Sequence, residues 1–310
     1  MSTFVVNPHG RLQEWIAHDK GYFATAGLTD YQLSAHSLLT RDTPKRKHQS
    51  AQIPDSKEGA YQTYEQGRDA SISCACHWTV NMAASDNHGR LWGECYSVTP
   101  CAIMVPEDSP VRKPADLAGV EVHVGYQSGS HYTTIQALEP YLDTKEINLR
   151  FGGNPAERVD QLLDGLAPAA TVFGPQLYMI EQLAFRKIVD CTFMVAAMIP
   201  DGVDLDQVSR YYDALRVAQS DIDQMHQPYL HYYLNELPDR HASLIDVNRF
   251  GPGERLVFEP YTESMYHSTQ QWIRQRGIFD GAPDDAINSA PEGVSEQTTY
   301  KKAVARLQQR

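Results

Sequence analysis

The chain has 310 residues and a formal net charge of −12, with 42% hydrophobic and 21% charged residues, proportions ordinary for a globular protein. So acidic a chain repels phosphate-rich surfaces, which excludes nucleic acid and anionic membranes as expected partners but leaves room for a local small-anion site. No stretch approaches the ~20 apolar residues of a membrane span, and five cysteines, an odd number, do not make a disulfide framework.

Phe4-Val5-Val6 predicts a first strand, broken by Asn7-Pro8-His9-Gly10. Met1 to His9 carries no basic segment followed by an apolar one, so no export signal is read there and a cytoplasmic location is expected. Leu12, Trp15, Ile16 and Tyr22 are spaced for one buried helix face, and Tyr31-Gln32-Leu33 predicts a second strand. Strand, helix and strand in alternation argue for a parallel sheet. Residues 40–60 are a polar excursion. Their basic cluster, Arg41 to His48, reads as a solvated loop, with Arg41 or Lys45 reaching an anion in a cleft as the alternative.

A helix from Gly59 to Gly67 feeds the strand-like Ala70-Ser71-Ile72, after which Cys74, Cys76, His77 and Trp78 follow in close succession before a helix from Thr79. Ala102 to Val105 and the alternating Val120 to Val124 predict strands, with His123 facing away from Val122 and Val124. The second strand runs into Gln127-Ser128-Gly129-Ser130-His131 and a helix with Ile135, Leu138 and Leu142 on one face. A further strand–helix unit spans Ile147 to Leu163, and Thr171-Val172-Phe173 ends at Gly174-Pro175-Gln176. Beyond about residue 200 the pattern turns mainly helical: Val208, Tyr212, Leu215 and Ala218 suit one helix, and Tyr261, Met265, Thr269 and Trp272 a C-terminal one ending at Gly277. His226 and His231 read as surface residues, and the last thirty residues are expected to wrap or fray.

Ala17-His18-Asp19-Lys20-Gly21-Tyr22-Phe23-Ala24-Thr25-Ala26-Gly27-Leu28 resembles the opening of type 2 periplasmic-binding-protein-like chains, in particular the NMT1/THI5-like and sulfonate/taurine-binding branch. Gly67-Arg68-Asp69-Ala70, the run from Ser109 to Gly119, Gly129-Ser130, and Gln271-Trp272-Ile273 to Gly277-Ile278 resemble later elements in the same order. The resemblance implies two α/β lobes joined by two crossovers, with the ligand between them. Lobe 1 would comprise residues 1–99 plus 197–310, and lobe 2 residues 100–196. The same fold serves pyrimidine synthases, aromatic sulfinate desulfinases and dihydroxyphthalate decarboxylases. In the synthases a Lys that binds pyridoxal phosphate lies four residues before a functional His. With His77 in the place of that His, Ser73 takes the Lys place, so that cofactor is not implied and none is expected. In the desulfinases the nucleophilic Cys sits on the first cleft loop, which here is Asn7-Pro8-His9.

Four loops should converge on the cleft: Asn7 to His9, Cys74 to Trp78, Gln127 to Tyr132, and Gly174 to Tyr178. The third is the expected anion site. Helix-start amides and the Ser128 and Ser130 hydroxyls would hold the charge, with Gly129 and His131 beside them; the plainer reading is a capped helix with Ser130 as N-cap. His77 is the candidate proton carrier and Cys76 the candidate nucleophile, against the reading of two buried cleft-wall residues. Strand geometry turns these neighbours apart, so Cys76 would partner His9 or His131 instead. Asn7, Cys74, Trp78, Gln127, Gln176 and Tyr178 complete the expected lining. Cys-x-Cys-His lacks a second ligand pair at zinc spacing, so no metal is expected.

Two functions follow. One is a cytoplasmic enzyme that cleaves a small aromatic or heteroaromatic anion without a cofactor, by decarboxylation, desulfination or hydrolysis. The other is a non-catalytic solute-binding protein for a sulfonate, pyrimidine or related compound.

Overall fold

In chain order the strands of the computed structural model, which describes residues 3–33, 59–278 and 300–307, fall into two sheets. The elements begin with strand Phe4–Asn7 (β1), helices Gln13–Asp19 (α1) and Tyr22–Thr25 (α2), strand Tyr31–Leu33 (β2) and helix Ala60–Glu65 (α3). Strand Ile72–Cys76 (β3), helix His77–Ser85 (α4) and strands Arg90–Trp92 (β4) and Tyr96–Thr99 (β5) complete the first pass. The chain then builds Cys101–Pro106 (β6), Glu121–Val124 (β7), Gly129–Leu138 (α5), Asn148–Phe151 (β8), Pro155–Leu163 (α6), Ala169–Phe173 (β9), Pro175–Gln182 (α7) and Phe185–Asp190 (β10). It returns through Phe193–Ile199 (β11), Leu205–Gln224 (α8), Asp239–Ala242 (α9), Arg255–Val257 (β12), Glu263–Gln275 (α10), Tyr300–Ala303 (α11) and Val304–Ala305 (β13).

The first sheet has the order β12-β5-β11-β3-β1-β2, with β4 against β11 and β13 against β4; the second has the order β10-β6-β9-β7-β8. β3 is buried along its whole length, as expected of a strand covered on both faces. β1 pairs in parallel with β2 and β3, and β7 in parallel with β8 and β9. The loops that leave β1 and β3 therefore share one sheet edge, and those that leave β7, β8 and β9 share another. Carboxyl edges of this kind are where open α/β sheets take ligands.

The chain crosses between sheets twice. Thr99 pairs with Phe193 in the first sheet, and Cys101 pairs with Phe173 in the second, so Pro100 is the first crossing. The second lies at Cys191-Thr192, because β11 already belongs to the first sheet. That corrects the expected change of lobe at 196/197. The apolar run Phe193 to Ile199 is a central strand, antiparallel to β3 and β5, and carries the return into lobe 1.

The helices lie where their apolar stripes predict. α8 buries Val208, Tyr211, Tyr212, Leu215, Ala218 and Ile222, the i, i+3, i+4 pattern of a helix laid on a sheet. The C-terminal helix begins at Glu263, capped by the Thr262 side chain accepting from Met265 N. His123 is fully buried and shared between Gln161 and Glu121. His231 is exposed and His226 partly so. The basic cluster around Arg41 and Lys45 lies outside the described residues, as does most of the C-terminal tail. Within the tail, residues 300–307 add β13 to the first sheet.

Candidate functional site

The two carboxyl edges face each other and touch. Thr79 Oγ1, in the first turn of α4, donates to Gln127 O at 3.0 Å. A Cβ on Gly129, the first residue of α5, would stand 2.6 Å from the Phe193 ring and 3.1 Å from Cys76 Cβ. Only glycine lets the α5 terminus approach lobe 1 this closely. Trp78 fills the seam, its ring 5.5 Å from Tyr132, 5.9 Å from Trp272 and 6.1 Å from Phe193. On the far side Gly253 N donates to Tyr178 Oη at 3.0 Å, and His241 Nε2 lies 3.0 Å from Asp160.

On the lobe 1 side, Asn7 ends β1 opposite Ser73, and His9 follows after Pro8. His9 Nδ1 donates to Glu254 Oε2 at 2.7 Å. The other Glu254 oxygen accepts from Arg11 Nη1 at 2.8 Å and Ser97 Oγ at 2.6 Å. Arg11 also grips Glu14 through Nε and Nη2 at 2.6–2.9 Å, and Tyr211 Oη donates to Glu14 at 2.6 Å. Burial alone would raise the Glu254 carboxyl, but His9, Arg11 and Ser97 outweigh it and hold it down at about 2. A carboxylate on Nδ1 sets the ring's orientation and leaves Nε2 as the working nitrogen. Nε2 has no protein partner among the described residues.

The Cys74 to Trp78 stretch does different work from that expected. Cys74 Sγ is an acceptor 3.9 Å from Arg11 Nη2, inside the buried charge cluster and not in the lining. Cys76 Sγ pairs with Thr79 Oγ1 at 3.1 Å, not with His9 or His131. Burial pushes the Cys76 thiol up to about 11 and the Cys74 thiol to about 12, so neither supplies the thiolate a nucleophile needs. His77 opens α4 and turns toward α10, with Nδ1 3.3 Å from Tyr261 Oη and 3.2 Å from Thr269 Oγ1. Desolvation holds it at about 3. It packs as a neutral ring against Tyr261 and Thr269, away from the Gln127–His131 loop it was expected to face. The oriented imidazole at this edge is His9.

On the lobe 2 side, the Gly125–Ser130 loop is tied to itself. Ser130 Oγ accepts from Gly125 N at 2.9 Å, and Ser128 Oγ donates to Gly125 O at 2.7 Å. The N-cap position belongs to Ser128, which makes no side-chain cap bond, so Ser130 is not the cap. Gln127 takes a positive φ of 42°, which turns its carbonyl to Thr79. His131 Nδ1 accepts from Gln127 N at 3.3 Å, and burial lowers the ring to about 4. Behind the loop lies Arg158, buried and donating only to carbonyls, Thr171 O at 3.2 Å and Gly153 O at 2.6 Å. Its Nη2 is buried with no acceptor among the described residues. Burial lowers this guanidinium to about 10, still charged at neutral pH.

Gln176 stands in the first turn of α7, after the positive-φ Gly174. It is fully buried, and neither Oε1 nor Nε2 has a partner among the described residues. A buried amide without partners is costly, ~1–3 kcal/mol for each orphaned group. Tyr178, two residues on, is held by Gly253, one residue from Glu254. Tyr178 therefore brings the start of α7 to the same end of the seam as the His9–Glu254 pair, with Gln176 two residues earlier on another face of the helix. Arg11, Ser97, Arg158 and Glu254 had no signal in spacing or motif; Arg11 and Glu14, three apart on a helix entrance, were the nearest thing to one. No group of three or more metal-ligating side chains occurs among the described residues.

No family model matches the chain, and no curated protein matches it. Solved structures do. The alkanesulfonate-binding protein SsuA from Xanthomonas axonopodis pv. citri, bound to MOPS, matches at a TM-score of 0.62 and 13% identity over 87% of this chain and 91% of that one. The periplasmic aliphatic sulphonate binding protein SsuA from Escherichia coli matches at 0.60 and 13%, over 100% and 94%. A mutant of the desulfurization enzyme DszB in complex with biphenyl-2-sulfinic acid matches at 0.56 and 12%, over 92% and 94%. The chain has the periplasmic-binding-protein fold, as its scattered motifs implied. That fold carries both binding proteins and an enzyme, so it does not choose between them.

Proposed function

We propose that the chain binds a small organic anion, a sulfonate or carboxylate, between its two lobes. Gln176 carries this reading: a fully buried amide at the carboxyl edge of the lobe 2 sheet, with both ends unpartnered. A ligand whose anionic oxygen accepts from Nε2 and whose separate N–H or O–H group donates to Oε1 would satisfy it. The sign of the charge comes from lobe 2. The α5 start offers backbone N–H groups, and the buried Arg158 behind it raises the local potential in a chain that is otherwise acidic. Turnover needs a nucleophile or acid–base group; Cys76 is held as a buried thiol on Thr79 and His77 has its Nδ1 on Tyr261 and Thr269, which supports binding over chemistry at these two positions.

The test is a panel of alkane- and arylsulfonates, sulfinates and carboxylates, followed by calorimetry and thermal unfolding. A ligand at a hundredfold excess over its Kd should raise the Tm by roughly 4 °C. Gln176→Ala should then weaken binding by about 5- to 100-fold without lowering the Tm of the free protein. A panel without a single binder, or a Gln176→Ala variant that binds as well as the parent, refutes the reading.

One observation favours the second reading, an enzyme that moves a proton. His9 has its Nδ1 on Glu254 and its Nε2 unpartnered, the arrangement of an oriented general base. Product formation by the parent chain that disappears in His9→Gln, and survives His77→Gln and Cys76→Ala, would establish it. Binding without product across the panel leaves the first reading standing.

A further inference from the structure

The two chain crossings between the lobes run side by side, and each carries a cysteine. Cys101 opens β6 directly after Pro100, and Cys191 follows β10 directly before Thr192. Asp190 pairs with Ala102 in the antiparallel ladder, and Cys191 N donates to Cys101 O at 2.8 Å, so the two residues are opposite each other at the end of the ladder, at a hydrogen-bonded position joined by one bond. Such pairs hold their Cα atoms about 5.5 Å apart, within the ~4.4–6.8 Å that a disulfide spans. The sulfurs lie 3.5 Å apart. Cys74, Cys76 and Cys95 are also free and buried, but no other two thiols come within hydrogen-bonding distance among the described residues.

We propose that Cys101 and Cys191 are an oxidisable pair that closes reversibly into a disulfide and staples the two crossings together. With a small peroxide as oxidant the step balances. The Cys191 sulfur takes one peroxide oxygen and becomes a sulfenic acid while the other leaves as water. The Cys101 sulfur then displaces the sulfenic oxygen as a second water, so two thiols and one peroxide yield one disulfide and two waters. Cys191 is the more exposed residue, 6% against 1% for Cys101. Burial and the adjoining thiol hold Cys101 well above the ordinary thiol range, which suits Cys101 to the second, resolving step. The bond would sit one residue from Pro100 and from Thr192, where the chain must flex if the lobes part. It would also close a loop of 90 residues that contains the whole second sheet. This inference needs no ligand and stands apart from the binding reading.

The full chain is treated with millimolar hydrogen peroxide at pH 7.5, then alkylated, digested and mapped, with hydrogen exchange read on the oxidised and the dithiothreitol-treated protein. The expected result is a loss of two hydrogens, a Cys101–Cys191 linked peptide formed before any other thiol is lost, and at least tenfold slower exchange at Thr192 and Phe193 that dithiothreitol reverses. Cys101→Ser should give no link and leave a dimedone-reactive sulfenic acid on Cys191. A link that first joins other cysteines, or a pair that oxidises only in urea, overturns the proposal. A Cys101–Cys191 bond that leaves exchange at the crossings unchanged overturns the staple.

Discussion

His77 and His131 are buried as neutral rings, held at about 3 and about 4 by desolvation. The unfolded chain titrates them near 6.5, so below that pH it binds protons that the folded chain refuses. Their contribution to stability is complete above about pH 6.5. It falls by ~1.4 kcal/mol per ring for each unit of acidification, down to the folded values. Glu254 works in the same direction in a lower window: its folded value of about 2 lies below the ordinary 4.5, so its stabilisation is present above 4.5 and is lost between 4.5 and 2. The urea midpoint should be flat from pH 8 to 7 and fall steeply below 6.5. His77→Gln should make the slope between pH 6.5 and 4.5 shallower. A midpoint unchanged down to pH 5 would contradict the burial of both rings. At this scale the sequence offered residue types but not directions. Cys76 and His77 looked reactive because they are adjacent, yet one packs on Thr79 and the other on Tyr261, and the oriented ring is His9, whose partner lies 245 positions away.

At the scale of elements, periodicity located most strands and helices because their apolar positions repeat along the chain. It missed β4, β5, β10, β11, β12 and β13. Four of these are two to four residues long, too short for a pattern, and they are strands through pairings with distant partners. The α5 start shows what an element adds beyond its own sequence. Gly129 reads as an ordinary helix-start glycine, but its missing Cβ is what lets lobe 2 seat against Phe193 and Cys76. Gly129→Ala should leave the secondary structure intact while keeping the lobes slightly apart. We expect ligand affinity to fall by at least tenfold with a far smaller change in Tm, measured by calorimetry beside thermal unfolding. Equal affinity would mean that this contact does not govern closure.

The whole molecule is held closed by contacts that join distant parts of the chain. Arg276, after α10, reaches Glu139, at the end of α5, in a two-pronged ion pair of 2.5 and 2.8 Å, with its guanidinium 4.6 Å from the Trp272 ring centre. Both partners are about a quarter exposed, so the pair sits in the range of ~0–1 kcal/mol. Glu139→Gln should therefore lower affinity by no more than about fivefold, mainly through faster release, as stopped-flow measurements can show. A hundredfold loss would assign the latch far more than a solvent-screened pair can hold. From the sequence alone one could read the fold class and most of its strands and helices, because these rest on local apolar periodicity and on motifs within single segments. Only the tertiary structure decided that the lobe change falls at Thr192, that His9 is oriented by Glu254, that Cys76 packs on Thr79 and His77 on Tyr261, and that Gln176 is buried without partners among the described residues. Each of these depends on which distant groups come within a few ångströms and on how much water they lose there, and no local pattern encodes either.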